Sequence, residues 1–457
     1  MVSIRRSAFS LFSRLNRLPL ARRGLRQFSP LLRSVKFNHP ELWSDDYDDL
    51  GEWAENLTYY ESGVYFPVHL GDLIGDGRYR VLHKLGNGAF AQVWLAKDLR
   101  PGGHGYVSIK IVPADASEAR ILKYLRRCPQ THPGSKHVMQ LLDHFTIHAP
   151  MMSYEGLVLE VMSRNAFRVV QSAPHGKLSL RNGSLASRQV AMGLDYLHQC
   201  GIAHGDLHTG NVCFTTSGLN RLNEAQVLNI LGEPEIRRIK RRDGRPLSSS
   251  MPRYTVRPQA FPQTGWELKI IDLGQEKRTA FFFNQKPESI ITPDILRAPE
   301  MLKACSSLEW DYRIDLWALG CLIYELFVGK SPFESPRPDA LAWEMTGMID
   351  ELPQHRRSRF NFERFIDPEG SDADSLFRSQ KIGKPKDVYR PLEESITADY
   401  DWIGGELTHD ELRSLAGLLR EILVMNPMER KAAGEVAEHR WLLDHMRGAD
   451  SGLMPSE

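Results

Sequence analysis

The tightest constraint on this chain is a polar octapeptide, His204-Gly205-Asp206-Leu207-His208-Thr209-Gly210-Asn211, set between two patterned segments. Before it, Ala186–Cys200 has the apolar spacing of an amphipathic helix. After it, Val212-Cys213-Phe214 is strand-like. A loop pinned at both ends can present a carboxylate (Asp206) as proton acceptor and a neutral amide oxygen (Asn211) as a ligand for a hard cation. Downstream, Ile270-Ile271-Asp272-Leu273-Gly274 ends an apolar run on a second carboxylate. Upstream, Val107-Ser108-Ile109-Lys110 ends one on a cation. An Asp and an Asn at this spacing, or a lysine at a strand end, is unremarkable alone; the ordered set is not.

A glycine turn precedes the set. Gly86-Asn87-Gly88-Ala89-Phe90-Ala91-Gln92-Val93 bridges the β-rich runs Tyr79–Leu85 and Gln92–Asp98. Glycine allows close backbone approach to a bound group, in conformations that a β-carbon forbids. By itself the turn is as readily an ordinary hairpin. Tyr106–Val112 is a third strand ending near Lys110, and the helical stretch Ala114–Arg127 carries Glu118 within pairing range of that lysine. Val138–Phe145 and Gly156–Met162 supply further strands, and the pattern beyond Ser163 is mostly helical. The fold class expected is α+β: a small lobe (79–162) of antiparallel sheet plus one helix, then a larger, mostly helical lobe (163–442), joined near Glu160–Met162.

Three later motifs complete the series: Ala298-Pro299-Glu300, Asp315-Leu316-Trp317-Ala318-Leu319-Gly320 and Asn426-Pro427-Met428-Glu429-Arg430. With the loops above they resemble the eukaryotic Ser/Thr protein kinase family from Tyr79 to Leu442. The resemblance implies a bilobal kinase fold, ATP and Mg2+ in the cleft, and phosphoryl transfer to Ser or Thr of a protein. It makes Asp206 the catalytic base, pairs Lys110 with the nucleotide phosphates and with Glu118, and gives Asn211 and Asp272 to the metal. It places Leu85, Gly86, Asn87, Gly88, Ala89, Phe90, Val93 and Ser108 around the nucleotide. Leu159 becomes the gatekeeper, with Glu160 and Met162 offering backbone groups to adenine. Glu300 and Arg430 would form a buried ion pair, and Asp315 would brace the catalytic-loop backbone. A finer similarity is to the SR-protein-specific kinases and their fungal relatives. It is carried by Gly71-Asp72, Gly77-Arg78-Tyr79-Arg80-Val81, Lys84-Leu85-Gly86, Val93-Trp94-Leu95-Ala96-Lys97-Asp98, Gln140-Leu141-Leu142-Asp143, the Asp-Leu-Gly metal loop, and an insert between the two catalytic loops. It implies an Arg/Ser-rich protein substrate, and a monomer is expected.

Departures from the family pattern bear on rate. Gly205 replaces an Arg that in many kinases holds a phosphorylated activation loop, so constitutive activity is the natural reading. His208 stands where a Lys usually neutralises the moving phosphoryl group. An unperturbed imidazole, with pKa about 6.5, is charged in only roughly a quarter of molecules at pH 7. Losing one such electrostatic contact costs on the order of 10²–10³ in rate, so slow activity that improves toward pH 6 is expected. Ala91 replaces the third glycine. Two alternatives stay open at this point: a pseudokinase that binds without transfer, and a small-molecule kinase of the type that shares the His-Gly-Asp-x-His form. The latter enzymes generally lack the Ala-Pro-Glu and Asp-x-Trp-x-x-Gly segments present here.

Composition sets outer limits. A net charge of +1 gives no global attraction to nucleic acid or membrane, so no direct nucleic-acid binding is expected. The longest apolar stretch, Leu316–Gly329, is short for a membrane span and contains Glu325. Five scattered cysteines without a C-x-x-C pair argue against a disulfide scaffold. Residues 1–40 are Arg- and Ser-rich with no acid, the pattern of a mitochondrial transit peptide, with Arg26-Gln27-Phe28-Ser29 as a processing step. Cytoplasm and nucleus are the alternative, and a mitochondrial address conflicts with a splicing-factor substrate. Residues 41–78 are expected as an acidic linker and N-terminal extension, 215–264 and 353–406 as surface insertions, and 443–457 as a tail. Glu41–Glu55, Asp367–Asp374 and Glu393–Asp401 are candidate acids for docking a basic tract, although charge runs are more often solvated surface.

Overall fold

The computed structural model describes residues 47, 55–88, 91–114, 117–150, 152–274, 280–285, 287, 292–302, 309–335, 338–349, 391–403 and 407–447. All belong to the compact unit His39–Glu457. The leader expected at 1–40 lies outside them.

The small lobe is built on β1 (Leu73–Ile74), β2 (Tyr79–Asn87), β3 (Gln92–Asp98), β4 (Tyr106–Pro113), β5 (Leu141–His148) and β6 (Ser153–Leu159). They form an antiparallel sheet in the order β1-β2-β3-β4-β6-β5. Val93 pairs across Lys110 to Leu157, and Leu95 across Ser108 to Leu159. Because side chains alternate along a strand, this register puts Lys110 and Ser108 on one face. The opposite face carries Tyr79, Val81, Trp94, Ala96, Val107, Ile109 and Ile111, which form one core cluster.

That face is covered by segments expected to lie elsewhere. Val68, from the stretch expected as linker, and Val256, from the first expected surface insertion, are 2% and 1% exposed within this cluster. Residues 55–70 are therefore part of the folded domain: Thr58–Glu61 is a helical turn, and Leu57, Tyr60 and Tyr65 pack with Tyr47, Ile239 and Met251. The insertion is likewise structured. It holds a helix Glu224–Leu231, started by a reciprocal Asn223–Gln226 capping box, and a hairpin of Ile236–Arg238 with Tyr254–Val256. Val227, Leu231 and Phe261 pack on Leu82, Leu95 and Tyr106 of the sheet. In the second insertion, residues 353–390 lie outside the description. Its end is a helix, Leu392–Ile403, with Leu392, Ile396 and Tyr400 buried at helical spacing. In each case isolated apolar residues among polar ones carry the packing, so little periodicity showed.

The large lobe is helical as expected. Leu180–Gln199 begins at the cap residue Ser179, whose hydroxyl accepts from the Asn182 amide. Ile314–Val328 is buried along its whole length and ends at Gly329, whose φ of 81° suits glycine alone. The helix expected over Ala114–Arg127 spans Ser117–Leu125. The expected strand Gly156–Met162 is split into β6 and Met162–Asn165, with the inter-lobe connection between them. Among the described residues no helix is long and apolar enough to cross a membrane.

Candidate active site

Lys110 projects from the fourth strand and is 8% exposed. Its ammonium lies 2.6 Å from Glu118 and 2.6 Å from Asp272, which brings a strand, a helix and a loop to one point. Burial opposes its charge, but the carboxylates of Asp272 and Glu118 overcome this and hold it above its usual value. One cation serves two carboxylates. Burial, with the charge of Asp272, therefore pushes Glu118 up to about 7 against the pull of Lys110. The helix bearing Glu118 is seated on the metal loop, since a β-carbon on Gly274 would come within 2.7 Å of the Glu118 amide nitrogen. Asp272 adopts φ 65°, a left-handed conformation uncommon for a residue with a side chain and characteristic of constrained functional positions.

Beside this group lies the octapeptide. Asn211 donates its side-chain NH2 to the Asp206 carbonyl at 2.9 Å and to Asp206 Oδ2 at 3.2 Å. Its amide nitrogen is thereby committed, and the oxygen is the atom left to meet a cation. Asp206 Oδ1 is buried and has no hydrogen-bond partner among the described residues, which leaves an acceptor open to a donor. The Ile271 amide donates to the Asn211 carbonyl at 2.9 Å and stitches the two loops together. Beneath them Asp315 accepts from the His204 and Gly205 amides at 2.7 and 2.8 Å, the brace expected from sequence. His198, which sequence reasoning missed, contacts the same carboxylate at 3.0 Å. Glu300 and Arg430 form the expected pair, with two contacts of 2.6 Å and both side chains fully buried.

Two of the three departures, Gly205 and His208, acquire a structural setting. Gly205 has φ 74°, a strained conformation for any L side chain. His208 lies with Nε2 3.7 Å from Asp206 Oδ2, while Nδ1 accepts from the Gly210 amide at 3.0 Å. Burial lowers its pKa, and the carboxylates of Asp206, Glu325 and Asp272 more than reverse this, leaving it raised above 6.5. Gly210 belongs with this histidine, because a β-carbon there would sit 2.6 Å from the imidazole. Glu325 was not foreseen as part of the site. It is buried on the central helix and accepts from the Thr209 hydroxyl at 2.8 Å, and burial pushes it up to about 7.

Of the positions expected around the nucleotide, Leu85, Val93 and Met162 are half-buried. The Ser108 hydroxyl, expected to need accommodation, donates to the Glu160 carbonyl at 2.8 Å, and the Glu160 carboxylate is held by Lys269 at 2.6 Å. Among the described residues nothing lies within 4 Å of where β-carbons on Gly86 and Gly88 would stand; Ala89 and Phe90 are outside them. Several acids considered for docking have partners already: Glu55 pairs with Lys84, Glu393 with Arg413 and Asp399 with Lys330. Asp367–Asp374 are outside the description.

Residues 79–227 and 260–442 match the family model described as protein kinase domain. The chain belongs to the protein kinase family. The gap in that match, 228–259, falls within the insertion between the two catalytic loops. A serine/threonine protein kinase of Aspergillus fumigatus is 28% identical over 407 residues, covering 85% of this chain and 90% of that protein. Serine/threonine-protein kinase SRPK of Physarum polycephalum is 27% identical, covering 88% and 93%. Protein kinase dsk1 of Schizosaccharomyces pombe is 24% identical, covering 85% of each. A crystal structure of a kinase domain superposes with TM-score 0.58 at 19% identity, covering 83% of this chain and 99% of that one. The serine/threonine-kinase and SR-protein-kinase likenesses read from sequence both hold among these relatives, and the bilobal kinase fold is shared.

Proposed function

We propose that this chain transfers the γ-phosphoryl group of ATP to Ser or Thr of Arg/Ser-rich proteins, using the residues gathered around Lys110. The observation that carries the reading is the Lys110 junction, with Glu118 and Asp272 each at 2.6 Å beside the Asp206–Asn211 loop. Such a junction supports reading these residues as the ones that position the nucleotide phosphates. The residues fit the implied nucleotide and metal: among the described residues nothing lies within 4 Å of where β-carbons on Gly86 and Gly88 would stand, and Asn211, whose side-chain nitrogen is committed to Asp206, has its amide oxygen to offer a cation. Asn211 and Asp272 would hold Mg2+, which would screen the phosphate charge of the ATP that donates the phosphoryl group. Lys110 orients the phosphates, and Glu118 fixes the lysine. Asp206 accepts the proton of the incoming hydroxyl at Oδ1. His208, whose pKa the carboxylates of Asp206, Glu325 and Asp272 raise, supplies positive charge beside Asp206 when it is protonated.

The substrate class follows the relatives and the sequence resemblance. With labelled ATP and Mg2+, a peptide of Arg-Ser repeats should be phosphorylated well above a matched Glu-Ser peptide. Equal labelling of the two would remove the Arg/Ser assignment while leaving the kinase assignment intact. Residues 1–40 carry a separate proposal with two readings: a reporter fused to them should collect in mitochondria if they are a leader, and a diffuse signal would refute that reading in favour of the cytoplasm and nucleus.

A further inference from the structure

One buried polar network outside the phosphate-transfer residues has no role in the reaction as described so far. It joins the N-terminal segment to the two strands that carry the glycine turn. Glu55, Tyr60, Lys84 and Gln92 are each no more than 2% exposed. The Lys84 ammonium, 5.0 Å from the Trp94 ring centroid, pairs with the Glu55 carboxylate. The Tyr60 hydroxyl donates to Glu55 Oε2 at 2.5 Å, and the Gln92 amide donates to Glu55 Oε1 at 3.1 Å and to the Tyr60 oxygen. Lys84 belongs to β2 and Gln92 opens β3, so both stems of the turn are tied to one carboxylate. Burying an ammonium and a carboxylate together gains little net stability, because desolvation offsets the attraction; its documented use is to fix geometry.

From this anchored segment Tyr65 reaches the turn itself. Its hydroxyl donates to the Gly88 carbonyl, and its ring is held edge-on by Tyr59 and Tyr60 at 5.2 and 5.3 Å. Gly88 is solvent-exposed, and its amide donates to the Ala91 carbonyl at 2.9 Å across the hairpin. A glycine-rich turn of this kind has wide conformational freedom, which is lost when it is ordered over a ligand. A rigid donor on its carbonyl removes part of that freedom in advance.

We propose that Tyr65 is a positioning residue for the glycine loop, with segment 55–65 acting as a clamp that presets the loop backbone for nucleotide phosphates. The inference rests on the ATP reading of this cleft. In the full-length chain, dissociation constants for Mg-ATP and for adenosine are measured by calorimetry in wild type and Tyr65→Phe. The ring contacts survive this substitution and the exposed Gly88 carbonyl can take a water, so the variant should fold and melt like wild type. Mg-ATP should bind about 2- to 10-fold more weakly, the range expected for one hydrogen bond. Adenosine, which has no phosphates, should bind unchanged. Backbone hydrogen exchange over residues 86–92 should be faster in the ligand-free variant. Unchanged Mg-ATP affinity, or equal weakening of ATP and adenosine, overturns the proposal alone. A wild-type chain that binds no Mg-ATP overturns the functional reading and this inference together.

Discussion

Glu325 lies buried beneath Thr209, one carboxylate oxygen taking the Thr209 hydroxyl at 2.8 Å and the other without a partner among the described residues. Replacing it by Gln keeps the shape and the acceptor for Thr209 and removes the charge. Burial is the main cause of its shift, opposed by Thr209 and His208, and brings the folded-state pKa to about 7 from 4.5. A carboxyl raised in the folded state binds its proton more tightly folded than unfolded. Below pH 4.5 both states are protonated and the charge costs nothing. As pH rises from 4.5 to 7 the unfolded chain ionises first, and stability falls. Above 7 the full cost remains, on the order of 3 kcal/mol at about 1.36 kcal/mol per pH unit of difference. Urea unfolding of wild type and Glu325→Gln from pH 5 to pH 8.5 should therefore give a difference that grows with pH in favour of the variant. A difference that is flat with pH, or a variant less stable at pH 8.5, would refute the buried-carboxylate account.

Other outcomes follow from the same geometry. Arg430→Ala leaves Glu300 buried and unpaired, and should cost roughly 3–5 kcal/mol by urea unfolding, whereas Glu300→Leu with Arg430→Met should recover most of it; a single variant within about 1 kcal/mol of wild type would contradict the pairing. His208, raised above 6.5 by Asp206, Glu325 and Asp272, is charged below its pKa and loses its charge as pH rises through it. Wild-type kcat/KM should therefore decline on that limb, and His208→Lys should extend the plateau to higher pH; superimposable profiles would remove His208 from the charge balance.

Much of the site was legible because its chemistry needs fixed residue types at fixed places. Lys110, Asp206, Asn211 and Asp272 each end a strand or sit in a loop between patterned elements, so local sequence located them. Their supports were less visible. Asp315 and Glu300 carried motifs, but His198, Thr209 with Glu325, and Lys269 with Glu160 are joined only by the fold. The covering of the small lobe was hidden for a similar reason. Val68 and Val256 share a cluster, and the Leu70 amide donates to the Tyr254 hydroxyl across 184 positions of sequence, a pairing that no local period announces. The acidic character of 41–55 suggested a solvated linker, yet Glu55 is buried and paired with Lys84 inside the domain. Residues 392–403 looked like loop because the buried apolar residues Leu392, Ile396 and Tyr400 stand among acids and small polar side chains.

The central claim is that Asp206, beside the Lys110 junction, takes the proton of an acceptor hydroxyl during transfer from ATP. The most direct measurement is incorporation of labelled γ-phosphate into an Arg/Ser peptide by wild type and Asp206→Asn, prepared identically and both shown to bind Mg-ATP. Wild type should label the peptide, and the variant should lose at least about 100-fold in rate, the lower range for removal of a general base, with ATP affinity retained. Equal incorporation by the two proteins would mean that the labelling does not come from this site.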